Sequence, residues 1–269
     1  MSGRIEHIGS ATLLLGDCRE LLPAIDRPAA ILSDPPYGQK VNTNVVGKGG
    51  IKIATPPGCG AKQLGRAMRL RSVPGAGEPR AAGSLHSTGS ARMWPKGIVG
   101  DDQPFDPEHL LNAANKCLLW GAHKFGHLLP RGRWLAWDKV PTGKVRHQGD
   151  GELAWCSVDP DAVVRFHRLL WDGVCVGSAA RHEVTAGQPR EHPTQKPESL
   201  IAWSLGFLNL SPGEVVCDPY MGAGSTGMAV VKAGLRFVGI EIEPVYFEAA
   251  CRRIEDAQRQ LSLFEGSGA

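Results

Sequence analysis

The feature that most constrains the fold lies late in the chain, between Glu214 and Glu241. An apolar run, Glu214-Val215-Val216-Cys217, leads into Asp218-Pro219-Tyr220-Met221-Gly222-Ala223-Gly224-Ser225-Thr226. The run has the length of a buried strand, and Gly222 and Gly224 let the backbone turn sharply and approach a ligand. Thr226 to Ala233 then reads as a helix, and Leu235-Arg236-Phe237-Val238-Gly239-Ile240 as a second strand that delivers Glu241. Strand, glycine turn, helix and parallel strand form the unit from which doubly wound α/β sheets are built. Glu241 stands 23 residues after Asp218, close to the spacing at which an acidic residue meets ribose hydroxyls in such folds. Asp218 would repel a phosphate, so a cationic sulfonium nucleoside with an amino-acid tail suits this turn better than an anion. A glycine pair alone is also what an ordinary tight strand–helix turn contains.

Apolar periodicity extends the pattern over the chain. Strands are expected near 11–15, 29–33, 117–121, 132–137, 152–157, 214–217 and 236–240. Helices are expected over 107–116, 197–209, 224–233 and 244–262, the last opening at Pro244, a residue suited to a first helical turn. The fold class is therefore α/β, a doubly wound Rossmann-like sheet, in one domain covering residues 1–269 with an insertion at 40–100.

The apolar residues Ala29-Ala30-Ile31-Leu32 read as a strand that ends in Asp34-Pro35-Pro36-Tyr37. Open turns at strand ends are where α/β proteins place ligands. These four residue types suit chemistry on an exocyclic amino group. Such a nitrogen is a poor nucleophile because its lone pair is delocalised into the ring. A pair of acceptors for its N–H groups turns that lone pair toward an electrophile. Asp34 supplies one acceptor and the Pro35 carbonyl the other, with Pro36 stiffening the backbone between them and the aromatic residue. Tyr37 offers a flat surface on which a base can stack. An ordinary strand-end turn has the same composition, and the glycine turn downstream decides between the two.

Charge is unevenly spread. From Lys40 to Gly100 ten basic residues face one acid, Glu78, so that segment carries +9 and the rest of the chain −6, for an overall +3. The segment is rich in glycine and proline and has little hydrophobic period, which reads as a long loop or insertion. It leaves directly from Tyr37. A polyanion is therefore its expected partner, with Lys40, Lys62, Arg66, Arg69 and Arg71 as phosphate contacts and 140–150 as a helper. The alternative is a solvated insertion with no specific contact. The seven cysteines (18, 59, 117, 156, 175, 217 and 251) are scattered, odd in number and never in a Cys-x-x-Cys pair. This points to reduced thiols and a cytoplasmic setting, with no metal site expected. No apolar stretch approaches membrane-spanning length, so no membrane partner is expected.

Taken together, these motifs resemble the S-adenosylmethionine-dependent DNA amino-methyltransferases of the permuted β class, in which the catalytic motif precedes the cofactor motif. The short enzymes carried by phages and prophages are the most similar members. The resemblance covers most of the chain: Gly16-Asp17-Cys18, Leu119-Trp120-Gly121, Arg133-Trp134-Leu135-Ala136-Trp137-Asp138-Lys139 and Glu152-Leu153-Ala154-Trp155. It continues through His192-Pro193-Thr194-Gln195-Lys196-Pro197, the Gly222 turn and Glu241-Ile242-Glu243-Pro244-Val245-Tyr246-Phe247. It implies S-adenosyl-L-methionine as cofactor and double-stranded DNA as partner, and it admits a homodimer. Asp17 and Cys18 would meet the cofactor adenine, and Glu241 its ribose. Asp218, Tyr220, Gly222, Gly224, Ser225 and Thr226 would surround the methionine portion, with Thr194 and Lys196 at its carboxylate. Asp34, Pro35, Pro36 and Tyr37 would carry catalysis on a flipped base. Two positions depart from the family: Tyr220 stands where phenylalanine is usual, and His123 where asparagine is common. An aspartate at the first motif position leans toward adenine N6. Cytosine N4, an RNA substrate, and a nucleic-acid-binding module that has lost catalysis are the competing readings.

Overall fold

The computed structural model describes residues 4–38, 98–141, 149–170, 175–176, 179–180, 192 and 195–266. Backbone contacts divide the chain into Met1–Val41 with Lys96–Ala269 and, separately, Asn42–Pro95. The second unit lies wholly outside the described residues, and so do the sequence-predicted contacts Lys40, Lys62, Arg66, Arg69, Arg71 and Thr194.

Nine strands form one sheet in the described part of the first unit. They are β1 (Ile5–Ile8), β2 (Ala11–Leu15), β3 (Ala30–Ser33), β4 (Lys116–Trp120), β5 (Arg133–Asp138), β6 (Gly151–Cys156), β7 (Arg165–Arg168), β10 (Val215–Asp218) and β11 (Arg236–Glu241). A separate two-stranded pair holds β8 (Cys175–Val176) and β9 (Ala179–Ala180). The nine run in the order β1-β2-β11-β10-β3-β4-β6-β5-β7. The middle, from β2 to β4, is parallel, while β1 and β6 run against their neighbours.

Side-chain alternation along the strands feeds two cores, one on each face. Leu13, Leu32, Leu118 and Val216 point to the face covered by α3 (Glu198–Leu205), α4 (Ser225–Lys232) and α5 (Pro244–Gly266). Leu14, Ile31, Cys117, Leu119 and Cys217 point to the opposite face, beside α1 (Cys18–Leu21) and α2 (Glu108–Ala113). Helices on both faces of a largely parallel sheet make the doubly wound α/β class expected from the sequence.

The expected strands and helices all occur, with shifted ends. The helix expected over 107–116 stops at Ala113, because Lys116 already pairs with Ala30 in the sheet. The helix expected over 197–209 stops at Leu205, just before Gly206. Two sheet strands, β1 and β7, were not anticipated. Both lie at sheet edges, and their half-exposed, charge-bearing sequences (Ile-Glu-His-Ile and Arg-Phe-His-Arg) lack the apolar run that marks a buried strand.

The topology fixes where a ligand belongs. From β10 the chain passes through α4 to β11 on one side, whereas from β3 it goes to β4 on the other. β3 and β10 are adjacent and parallel, pairing at Ala30–Val216 and Ile31–Cys217. The sheet order thus reverses between them, and the crevice at their carboxyl ends is the binding position in such sheets. Asp34 follows β3 and Asp218 ends β10, so both motifs open into this crevice.

Candidate active site

Each wall of the crevice is set by local backbone. At the end of β10, Asp218 is buried and bonded on both sides: Ser33 Oγ donates to its Oδ1 at 2.6 Å and Tyr220 N at 3.1 Å. These bonds tie the glycine turn to the end of β3, and burial raises the Asp218 carboxyl. Gly222 and Gly224 have φ of +52° and +78°, a region in which only glycine is unstrained. The turn can therefore close ahead of α4 with Ser225 and Thr226 buried in its first turn.

Glu241, at the end of β11, accepts Gly222 N on Oε2 at 2.9 Å and Glu243 N on Oε1 at 2.8 Å. These two bonds fix the orientation of the carboxylate and still leave each oxygen a lone pair for a ligand hydroxyl. Burial raises Glu241 to about 7. Asp17 caps α1, accepting Arg19 N on Oδ1 at 2.8 Å. Next to it, Cys18 is buried, which pushes its thiol up to about 11 and keeps it protonated. The Tyr220 hydroxyl lies 2.8 Å from His109 Nε2 on α2, so the hydroxyl that departs from the family pattern has a partner. Phe105 packs edge-on against both rings.

One cavity of about 320 Å³ joins these residues to the end of β3. Asp17, Cys18, Tyr220, Gly222 and Glu241 line it together with Asp34, Pro35, Pro36 and Tyr37. Its volume falls in the range of small-molecule sites. A smaller adjoining cavity is lined by Asp34, Lys196, Asp218, Ser225 and Thr226. The sequence-predicted cofactor and catalytic residues within the described part therefore line these two cavities, except Gly224, which lines neither and packs against Ala250 and Ile254.

The loop from Asp34 to Tyr37 is held from beneath. Tyr37 packs so close to Gly121 that a Cβ there would sit 2.1 Å from Tyr37 Cε1. His123, at the other departure from the family pattern, presents an edge to Tyr37 at 6.3 Å between ring centres. Lys196 Nζ bonds Asp34 Oδ2 and Glu152 Oε1, both at 2.6 Å, and Lys139 Nζ bonds Glu152 Oε2 at 2.8 Å. Asp34 Oδ1 is buried and has no hydrogen-bond partner among the described residues. Burial raises Asp34 to about 6 against the pull of Lys196. Glu152 is buried too, but Lys196 and Lys139 outweigh that effect and hold it down to about 2.

Sequence reasoning missed several residues here. Residues of the run Ile98–Phe105 line the cavity, with Gly100 beside Pro36. His192 stacks its edge on Tyr246 at 4.3 Å, and both line the cavity. Glu152 and Lys139 belong to segments that carried the family resemblance but had no role assigned. A carboxylate inside the otherwise apolar Glu152-Leu153-Ala154-Trp155 was the available signal.

Comparison with known proteins agrees with this geometry. Residues 154–252 match the family N6_N4_Mtase, DNA methylase, a span that includes Lys196, the glycine turn and Glu241 but not Asp34. The chain is similar to DNA adenine methyltransferase YhdJ of Escherichia coli (strain K12), 39% identical over 66 residues, or 24% of this chain and 22% of that protein. It is similar to Type II methyltransferase M2.DpnII of Streptococcus pneumoniae, 38% identical over 65 residues, or 24% of each. The match thus spans less than a quarter of either relative's length. Over 91% of this chain and 98% of that one, the structure is similar to the M1.HpyAVI-SAM complex, with a TM-score of 0.50 and 15% identity. The sheet therefore has the fold of that protein, and residues 154–252 are similar to the N6_N4_Mtase DNA methylases.

Proposed function

We propose that this protein is an S-adenosylmethionine-dependent DNA methyltransferase that methylates the exocyclic N6 amino group of adenine. The observation that carries this reading is Asp34 Oδ1, an unpartnered buried acceptor in the cavity that also contains Glu241 and the glycine turn. A buried acceptor without a donor is costly unless a ligand supplies one, and an amino N–H is such a donor. Adenine is favoured because one relative, YhdJ, is named a DNA adenine methyltransferase, and because aspartate opens the catalytic motif. The order of motifs, Asp34 before Asp218, is that of the permuted β class.

The residues present fit the cofactor. The cavity is large enough for a nucleoside, its carboxylates suit a cation, and Glu241 has oxygens fixed for ribose hydroxyls. Asp17 and Cys18 would meet the adenine. Asp218, Tyr220, Gly222, Gly224, Ser225 and Thr226 would surround the methionine portion, with Thr194 and Lys196 toward its carboxylate. Bound S-adenosylmethionine supplies an electrophilic methyl group. The chain's own residues do the rest. Tyr37, propped on Gly121, stacks on a base swung out of the duplex. Asp34 Oδ1 and the Pro35 carbonyl accept the two amine N–H groups, which aims the nitrogen lone pair. The N–C bond would form as the cofactor's sulfur–methyl bond breaks to leave a neutral thioether, and the cationic nitrogen would pass a proton to Asp34 and on to water. Alignment and fixed electrostatics supply the rate, without a covalent enzyme intermediate. The basic stretch, including Lys40, Lys62, Arg66, Arg69 and Arg71, would grip duplex phosphates.

The test is to incubate the protein with methyl-labelled cofactor and unmethylated duplex DNA, hydrolyse the product and identify the labelled nucleoside. Label in N6-methyl-2′-deoxyadenosine is the expected result. Label in N4-methylcytosine would replace the substrate, and absence of label at any base would remove the activity.

A further inference from the structure

Asp34 is one end of a buried chain of alternating charge. Lys139 follows β5, Glu152 lies on β6, Lys196 precedes α3, and Asp34 follows β3. Their contacts, 2.8, 2.6 and 2.6 Å, run Lys139–Glu152–Lys196–Asp34. Glu152 and Lys196 are 7% and 8% exposed, so the pairing is nearly dry and the partners are not interchangeable with water. The two lysines also lie against aromatic faces: Lys139 is 4.6 Å from the Trp137 ring centre and Lys196 is 5.9 Å from that of Trp120. The consequence is geometric. Because Glu152 takes one hydrogen bond of Lys196, the ammonium is anchored at Asp34 Oδ2, and Oδ1, itself buried, is left without a partner.

We propose that Glu152 and Lys139 are positioning residues for methyl transfer: by sharing Lys196 between two carboxylates they keep Asp34 Oδ1 unpartnered, as the acceptor for the target amine. This rests on the function proposed above, since it gives Asp34 that role. Glu152 lines neither cavity; it acts through Lys196. Without its charge, Lys196 belongs to Asp34 alone, which makes Asp34 a weaker acceptor and a stronger acid. Without Lys139, Glu152 draws Lys196 toward itself, and Asp34 becomes the weaker acid. The two substitutions thus push Asp34 in opposite directions, which a general loss of packing does not do. Other groups around Asp34 are Tyr37 on its own loop, Asp218 at the end of β10, His192 in the adjoining cavity and His123 beyond Tyr37. Neither substitution changes any of these.

Glu152→Gln keeps the shape of the side chain, and Lys139→Met keeps its stem on Trp137, so both are suited to folding. Two readouts are taken on each. The first follows the Asp34 carboxyl carbon by NMR titration of the protein without cofactor, assigned with Asp34→Asn. The second is the pH profile of single-turnover methyl transfer at saturating cofactor. In the wild type the carboxyl should titrate, and transfer should fall away on the acid side, near pH 6. Glu152→Gln should move both to lower pH by about one unit and Lys139→Met should move both upward, the scale expected for a charge within a few ångströms. Glu152→Gln should also lower the plateau rate at saturating cofactor at least tenfold. Titrations that coincide with the wild type in both variants, or that shift the same way, would overturn the proposal. Should either variant fail to fold, the sign of the shift in the other still decides. If Asp34→Ala itself transfers methyl groups normally, the proposed function fails. If it does not, while the two variants match the wild type, only the positioning role fails.

Discussion

Gly121 is where the account of the target pocket can be pressed hardest. Its φ is +72°, and a Cβ built on it would lie 2.1 Å from Tyr37 Cε1, 2.6 Å from Cδ1 and 2.7 Å from Cζ. Ordinary contact begins at 3.4 Å, so in Gly121→Ala the ring must withdraw by about 1.3 Å. The backbone cost of alanine in this left-handed conformation is about 1–2 kcal/mol. Base–aromatic stacking is worth about 1–3 kcal/mol, which corresponds to roughly a 5- to 150-fold loss of kcat/KM if the displaced ring no longer meets the base. Tyr37→Ala should lose a similar amount of activity without the backbone strain. Gly121→Ala added to Tyr37→Ala should then cost stability but almost no further activity, because the ring it displaces is already gone. The assay is single-turnover transfer on duplex DNA for wild type, both single variants and the double, alongside urea unfolding of each. Cofactor affinity should be within about twofold in all four. Full activity in Gly121→Ala, or activity losses that simply add in the double variant, would refute the idea that Gly121 acts by seating Tyr37.

Two further predictions address the cofactor and the DNA. Glu241→Gln should weaken S-adenosylmethionine binding by about 1–3 kcal/mol, measured by titration calorimetry. Because Glu241 is raised to about 7 from an ordinary value of 4.5, the folded state holds more protons than the unfolded one between those values. Its contribution to stability therefore falls as pH rises through that window, and thermal unfolding of Glu241→Gln should lose that part of the slope. Unchanged affinity and an unchanged slope would place the ribose elsewhere. Neutralising Arg66, Arg69 and Arg71 together should weaken DNA binding and reduce the log–log salt slope by about 0.9 per lost phosphate contact, with cofactor affinity unchanged. Superimposable binding curves across a salt series would leave that cluster without a DNA role.

Much of this site was legible before any coordinates because its signals are local. The strand, glycine turn, helix and second strand from Val215 to Glu241 declare themselves through apolar runs and through Gly222 and Gly224 at positive φ. Asp34-Pro35-Pro36-Tyr37 reads as a strand end because Ala30 to Ser33 is wholly buried. What escaped depends on contacts between distant parts of the chain. Lys196 meets Asp34 and Glu152 only because β3 and β6 flank β4 in the sheet, and no spacing in the sequence encodes that adjacency. Gly121 looks like the end of a strand until Tyr37 is seen against it. The edge strands β1 and β7 were missed because a strand covered on few sides needs no apolar pattern. Ile98–Phe105 carries no motif, yet it completes the cavity wall by packing on Pro36 and Tyr220.

The central claim is that Asp34 presents the acceptor on which methyl transfer depends, separately from cofactor binding. Asp34→Ala tests it most directly, with cofactor affinity and single-turnover transfer to duplex DNA measured on the same preparation. The account predicts cofactor affinity within a few-fold of the wild type and transfer reduced by at least about a hundredfold. Near-normal transfer with the cofactor bound would contradict it and move the active site away from Asp34.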